Sequence, residues 1–304
     1  MTVCVIGAGS IGSLLAGHLA NVTDVLVLTR RPEHARALNE QGLRISGRHD
    51  FTARVTATSD PDTLPDFDLG IIATKAGGLE AAADSLSGRF AGATIMTVLN
   101  GLGAEAVVRR RGRWPLVSAV TFMSGTKHSD THVEYILDTA TWLGPYEETP
   151  FNRVQEIAGM IVASGLEAEA LPDLLPAQWS KLIFNATVNG VAALTGLRHD
   201  PHFADETDPS SLGHLVHDLV DEGKRVAAAA GVELYDDPWE MNVLATNRGS
   251  AHYPSMLEDV DARRPTEVEL INGALVREAQ RVGADAPLHT AVYRLVKARE
   301  DSYS

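Results

Sequence analysis

Val3-Cys4-Val5-Ile6-Gly7-Ala8-Gly9-Ser10-Ile11-Gly12 is the stretch on which the fold turns. Four apolar residues suit a buried strand, and three glycines follow at Gly-x-Gly-x-x-Gly spacing. Leu14, Leu15, Leu19 and Ala20 then recur at helical spacing, and Val25 to Leu28 is a second apolar run. Strand, glycine turn, helix and strand make a βαβ unit. Gly7 permits the tight turn, Gly9 lets the backbone approach a pyrophosphate, and Gly12 allows close helix packing. The helix start adds unpaired N–H groups for a phosphate. Gly7, Ala8, Gly9, Ser10, Ile11 and Gly12 are therefore expected to bind a dinucleotide.

Outward from this unit, Leu69 to Ala73, Thr94 to Leu99 and Leu116 to Thr121 read as further buried strands. Helical stretches lie between them, around Arg36 to Glu40, Leu79 to Leu86 and Glu105 to Arg110. Such alternation predicts an α/β domain of Rossmann type, with a doubly wound, mostly parallel sheet. His132 to Tyr146 reads as an extended antiparallel addition, and Asn152 to Ser164 as the last helix of this half. After Leu171-Pro172-Asp173 the pattern becomes helical: Pro176 to Leu194, Leu212 to Ala230, Trp239 to Thr246, Thr266 to Val282 and about Thr290 to Glu300. Two domains are expected, a nucleotide-binding one over residues 1–171 and an all-helical C-terminal one over 172–304. A length of 304 residues suits two cores better than one.

A net charge of −14 argues against nucleic acid or an anionic membrane surface as the main partner, since both need a basic face. Cys4 is the only cysteine, which excludes intrachain disulfides and a thiolate metal cluster. No signal-peptide pattern precedes the first strand and no apolar stretch is long enough to span a bilayer. A soluble cytoplasmic protein without a metal is expected.

The end of the second strand selects the cofactor. An NAD site usually carries Asp or Glu there, about 20 residues beyond the glycines, to accept a ribose hydroxyl. This chain has Thr29-Arg30-Arg31-Pro32 instead, and Arg30 and Arg31 suit the 2′-phosphate of NADP. The alternative is a pair of solvated surface arginines. Lys75 and Asn100 each follow a buried strand at its carboxyl end, where ligands of doubly wound sheets sit. A snorkelling lysine and a turn-forming Asn-Gly are the structural alternatives.

Trp179 to Asn189 reads as a helix in which Lys181, Asn185 and Asn189 share one stripe amid Leu182, Ile183, Phe184, Ala186 and Val188. Polar groups in a core-like helix cost free energy unless something polar faces them. A small anionic or carbonyl-bearing substrate would serve, and a lysine beside a nicotinamide could protonate a carbonyl oxygen as hydride arrives. Asparagines bonded to backbone beside a surface lysine are the other reading. Downstream, Ser255 with Glu258 and Thr266 with Glu269 fit helix capping boxes, which leaves Glu267 uncommitted at the start of an apolar helix.

Taken in order, these segments resemble the ketopantoate reductases (2-dehydropantoate 2-reductases), NADPH-dependent enzymes of the pantothenate pathway. The resemblance rests on Gly7 to Gly12, Arg30, Thr74-Lys75, Asn100-Gly101-Leu102-Gly103, Trp179-Ser180-Lys181 with Asn185 and Asn189, Ser255 to Asp259, and Thr266 to Gly273. It implies Lys181 as proton donor and Asn185, Asn189 and Ser255 as ligands of a 2-keto acid. Glu267 would hold the substrate hydroxyl or complete the cofactor site, and Lys75, Asn100 and Gly125 would join the cofactor site. The chain departs from the family in the bulky, polar Thr121 to His128 segment, in lacking a glycine around Asp130 to His132, and in Glu269, where Asp is common. Those departures bear on which 2-keto acid is reduced. A 3-hydroxyacid or opine-type dehydrogenase shares the plan, and an idle NADP-binding regulator is a third reading. A homodimer through the helical half fits the architecture, though no residue pattern demands one.

Overall fold

β1 (Val3–Ile6) alternates its side chains between two apolar layers, Val3 and Val5 in one buried cluster and Cys4 and Ile6 in another. The computed structural model, which describes residues 1–205, 209–247 and 253–303, extends this alternation across an eight-stranded sheet. After β1 come α1 (Ser10–Leu19), β2 (Val25–Leu28), α2 (Pro32–Gln41), β3 (Leu43–Gly47), β4 (Phe51–Ala53), β5 (Thr56–Thr58) and β6 (Leu69–Ile72). α3 (Leu79–Leu86), β7 (Thr94–Val98), α4 (Ala104–Arg109), β8 (Leu116–Thr121), β9 (Ser124–Ser129) and β10 (His132–Leu137) follow. β11 (Thr141–Tyr146), α5 (Phe151–Ala163) and β12 (Ala168–Ala170) complete the α/β part.

The large sheet runs β12-β11-β8-β7-β6-β1-β2-β5. From β8 to β5 every pairing is parallel, and β11 joins antiparallel to β8. The strand order reverses between β1 and β6, which is the topological switch point of a Rossmann sheet. Gly7 follows β1 there with φ +100°, and a Cβ on it would come within 2.8 Å of Thr74 Cγ2 beyond β6. A Cβ on Gly12 would stand 1.9 Å from the Gly7 carbonyl oxygen, so the turn closes only with glycine at both places.

The expected antiparallel addition divides between two sheets. β11 enters the large sheet, whereas β10 pairs with β9 and β3 in a separate sheet of order β4-β3-β10-β9. α1 packs against this small sheet as well as the large one, which is why Gly12 to Leu19 are all buried. A Cβ on Gly125, in β9, would meet Leu14 Cδ1 of α1 at 3.0 Å and the Glu134 carbonyl oxygen at 2.7 Å.

The helical part comprises α6 (Leu175–Thr195), α7 (Ser211–Ala229), α8 (Pro238–Thr246), α9 (Ser255–Asp261), α10 (Asn272–Val282) and α11 (Pro287–Asp301). α6 is its centre, packing against α7, α8, α9, α10 and α11 and buried on every side from Trp179 to Ala193 apart from Phe184. The helix expected from Thr266 begins instead at Asn272, because residues 267–271 form a turn in which the Leu270 and Ile271 amides donate to the Glu267 carbonyl. By contacts the chain forms two compact units: residues 1–99 with 104–174, and residues 100–103 with 175–304.

Candidate active site

Polar side chains converge inside the helical unit. Lys181, Asn185 and Asn189 are each only 7 % exposed, so the stripe on α6 is buried. Asn189 Nδ2 donates to Asn185 Oδ1 at 3.3 Å, and Asn189 Oδ1 accepts from the Met256 backbone amide at 3.3 Å. This fixes Asn189 against the first turn of α9, where Ser255 lies exposed. Burial lowers the Lys181 pKa to about 8, against the opposing charge of Glu267, which raises it. An amine in that range exchanges protons near neutral pH.

Glu267 sits half-buried in the turn before α10, and its Oε2 accepts from Asn100 Nδ2 at 2.9 Å. Asn100 reaches it because the Asn100–Gly103 turn lies on the 267–271 turn, the Leu102 amide donating to the Leu270 carbonyl at 3.1 Å. Gly101 makes that approach possible: it has φ +94°, and a Cβ would fall 1.8 Å from the Leu270 carbonyl oxygen. Asn272 then fastens the start of α10 to α6 through a 2.8 Å bond to the Ala186 carbonyl.

Neither capping box forms. Thr266 donates through both its amide and its hydroxyl to Glu300 Oε1, at 2.7 and 2.6 Å, while Glu269 is taken by Arg277 and by the Tyr293 hydroxyl. At α9 the cap position belongs to Pro254 and Glu258 pairs with Arg264 at 3.1 Å. A lateral ion pair competes with local capping in each case, and sequence spacing alone does not show it.

The remaining sequence-derived residues lie in the α/β unit. Gly7 to Gly12 form the turn from β1 into α1, and a Cβ on Gly9 would meet no atom within 4 Å. Thr74 Oγ1 is buried without a hydrogen-bond partner at the end of β6, with the exposed Lys75 next to it. Arg30 is exposed beyond β2, and Arg31 precedes α2 with its guanidinium on Asp130. Lys127, His34 and Asp130 were not singled out by sequence. Lys127 Nζ donates to the Ala8 carbonyl inside the glycine turn at 2.8 Å, and its scarcity among 26 basic residues was the available signal. Among the described residues no cluster suited to hold a metal occurs, and no helix is long and apolar enough to cross a membrane.

The profile described as Ketopantoate reductase PanE/ApbA matches residues 3–148, and that of Ketopantoate reductase PanE/ApbA C terminal matches residues 173–300. The chain belongs to the ketopantoate reductase family. It is therefore an oxidoreductase of the 2-dehydropantoate 2-reductase type. It is 29% identical over 301 residues to a 2-dehydropantoate 2-reductase of Pyrococcus horikoshii, covering 99% of this chain and 98% of the relative. To the one from Halobacterium salinarum it is 30% identical over 302 residues, covering 98% of each. Among solved structures it resembles a PanE/ApbA family ketopantoate reductase from Ralstonia eutropha JMP134, with a TM-score of 0.89, 24% identity, and 100% and 99% of the two chains covered. A D-mandelate dehydrogenase with NADH and anilino(oxo)acetate matches with a TM-score of 0.90 at 23% identity, again covering 100% and 99%. Across the ketopantoate reductase fold these likenesses run from end to end of the chain.

Proposed function

We propose that this enzyme reduces 2-dehydropantoate to (R)-pantoate, the pantothenate-forming reaction, with NADPH and with Lys181 as proton donor. The observation that carries this reading is the buried Lys181, poised near pH 8 and under the influence of Glu267 on a helix that also presents Asn185 and Asn189. The names of the relatives support the substrate. A nicotinamide dinucleotide, when bound, supplies the hydride. The residues for it fit: Gly9 has room beside a helix start without a side-chain cap, Thr74 holds an orphaned hydroxyl, and Arg30 offers an exposed guanidinium to a 2′-phosphate. Lys75 and Gly125 complete the set on the α/β unit.

On the helical unit Lys181 Nζ gives its proton to the carbonyl oxygen of the keto acid, which becomes the hydroxyl. Glu267 keeps that amine protonated at neutral pH and accepts from the substrate hydroxyl, while Asn100 orients its carboxylate. Asn185, Asn189 and Ser255 bind the keto acid by their amide and hydroxyl groups. The test follows NADPH oxidation with 2-dehydropantoate and a panel of aliphatic and aromatic 2-keto acids, with Lys181→Ala alongside. Lys181→Ala should lower kcat about 10²–10⁴-fold, and unaffected turnover would exclude it as the acid. Turnover with another keto acid but not with 2-dehydropantoate would reassign the substrate. Arg30→Gln should raise KM for NADPH far more than for NADH, and equal effects would overturn the 2′-phosphate assignment.

A further inference from the structure

Arg30 and Arg31 are neighbours in sequence but stand in different electrostatic settings. Arg30 is exposed, and no ion pair holds it among the described residues. Arg31 Nη2 donates to both carboxylate oxygens of Asp130, at 2.5 and 2.6 Å. Asp130 lies in the turn joining β9 to β10, in the small sheet, 99 residues further along the chain. Lys127 Nζ stands 3.5 Å from Asp130 Oδ1, 3.4 Å from His34 Nε2, and on the Ala8 carbonyl. His34 Nδ1 is 3.7 Å from the same carboxylate oxygen. One carboxylate is thus set among a lysine from β9 and an arginine and a histidine from the start of α2. Burial alone would raise its pKa, but Arg31, His34 and Lys127 together hold it below the usual carboxylate range, so it is an anion at neutral pH.

The carboxylate that sites for the unphosphorylated dinucleotide carry at the end of the second strand is missing from Thr29-Arg30-Arg31. Asp130 brings one to the same helix start from another sheet. We propose that Asp130 is a cofactor-specificity residue that restrains the preference for NADPH and keeps NADH usable. The inference rests on the reading that a dinucleotide lies on the glycine turn with its adenosine end towards Arg30 and Arg31. A 2′-phosphate there has to share Arg31 and Lys127 with a like charge already in place. A 2′-hydroxyl is neutral, meets no such opposition, and can donate to the carboxylate. At partly exposed positions a like-charge neighbour within several ångströms is worth on the order of a five-fold change in affinity.

The test measures Kd for NADPH and NADH by fluorescence titration on wild type, Asp130→Asn and Asp130→Ser. The ratio Kd(NADH)/Kd(NADPH) should rise about five-fold in Asp130→Asn. Asp130→Ser also removes the charge and should move the ratio the same way even if one of the two variants folds poorly. In Arg31→Gln/Asp130→Asn the gain should shrink, because the released guanidinium is gone. A ratio that stays put or falls overturns the inference, and that includes equal weakening of both nucleotides, as a purely structural clasp between β9 and α2 would give. Wild-type protein that binds neither nucleotide overturns the cofactor reading itself, and an unmoved ratio with tight wild-type binding overturns the role of Asp130 alone.

Discussion

At Lys181 two influences oppose each other: burial drives the proton off and the charge of Glu267 draws it back, leaving the pKa at about 8. The protonated amine is the proposed donor, so kcat/KM for reduction should be level below about pH 8 and fall ten-fold per pH unit above it. Glu267→Gln removes the influence that raises the pKa, and the alkaline limb should move to lower pH. A limb that moves upward or stays in place would mean that another group sets it. Stability follows the opposite course. Between about 8 and the ordinary 10.5 the unfolded chain holds this proton and the folded one does not, so stability rises as pH climbs through that window. Lys181→Met should therefore stabilise the protein at pH 7 by on the order of 1–3 kcal/mol while removing turnover. Denaturant melts of the inactive variant check it, and an unchanged or lower midpoint would contradict the account. This tension was visible in the sequence, where one lysine and two asparagines at four-residue spacing interrupt an apolar helix. The partners were less visible, because Asn100 meets Glu267 across 167 residues and only the tight turn at Gly101 allows it.

Among the elements, α11 shows how a buried helix start is satisfied from a distance. Pro287 opens it, and the Leu288 and His289 amides donate to the carboxylate of Glu222 in α7, at 3.1 and 2.8 Å. Glu222 is 1 % exposed, so Glu222→Ala would leave the buried His289 amide and the part-buried Leu288 amide unpaired and should cost about 2–4 kcal/mol, read as a lower urea midpoint at unchanged m. Burial also holds the His289 pKa down, at about 4. The unfolded chain takes up that proton from about pH 6.5 downward and the folded chain does not, so stability is lost as pH falls from 6.5 to 4. His289→Gln should flatten this part of the pH–stability curve. The main elements were legible in sequence for a plain reason: β1, β6, β7 and β8 are apolar runs, and α6 and α7 carry apolar residues at helical spacing. The small sheet was not. β4 is three residues long and β9 reads Ser-Gly-Thr-Lys-His-Ser, so its pairing is decided by α1 packing on it rather than by strand propensity. With that sheet hidden, Lys127 and Asp130 could be read only as a polar loop.

For the molecule as a whole, the apolar clusters divide with the two units. The two faces of the large sheet hold one pair of clusters, and the helices around α6 hold a third that includes Leu102. Separate cores predict separable unfolding. Calorimetry should resolve two transitions, with Ile72→Ala lowering one and Leu219→Ala the other, each by about 2–5 kcal/mol. NADPH, on the reading above, should raise the transition that Ile72→Ala lowers. A single transition shifted by either substitution would show the two cores to be one cooperative system. The Asn100–Gly103 turn has a further consequence, for synthesis. The ribosome releases Asn100 long before Glu267, and the chain passes from one unit to the other three times, after residues 99, 103 and 174. A nascent chain can complete β1 to β8 while this one turn still waits for a carboxylate not yet translated. A message truncated beyond α6 but ahead of codon 267 would encode every strand of the sheet and the proposed proton donor, yet lack the group that holds its proton.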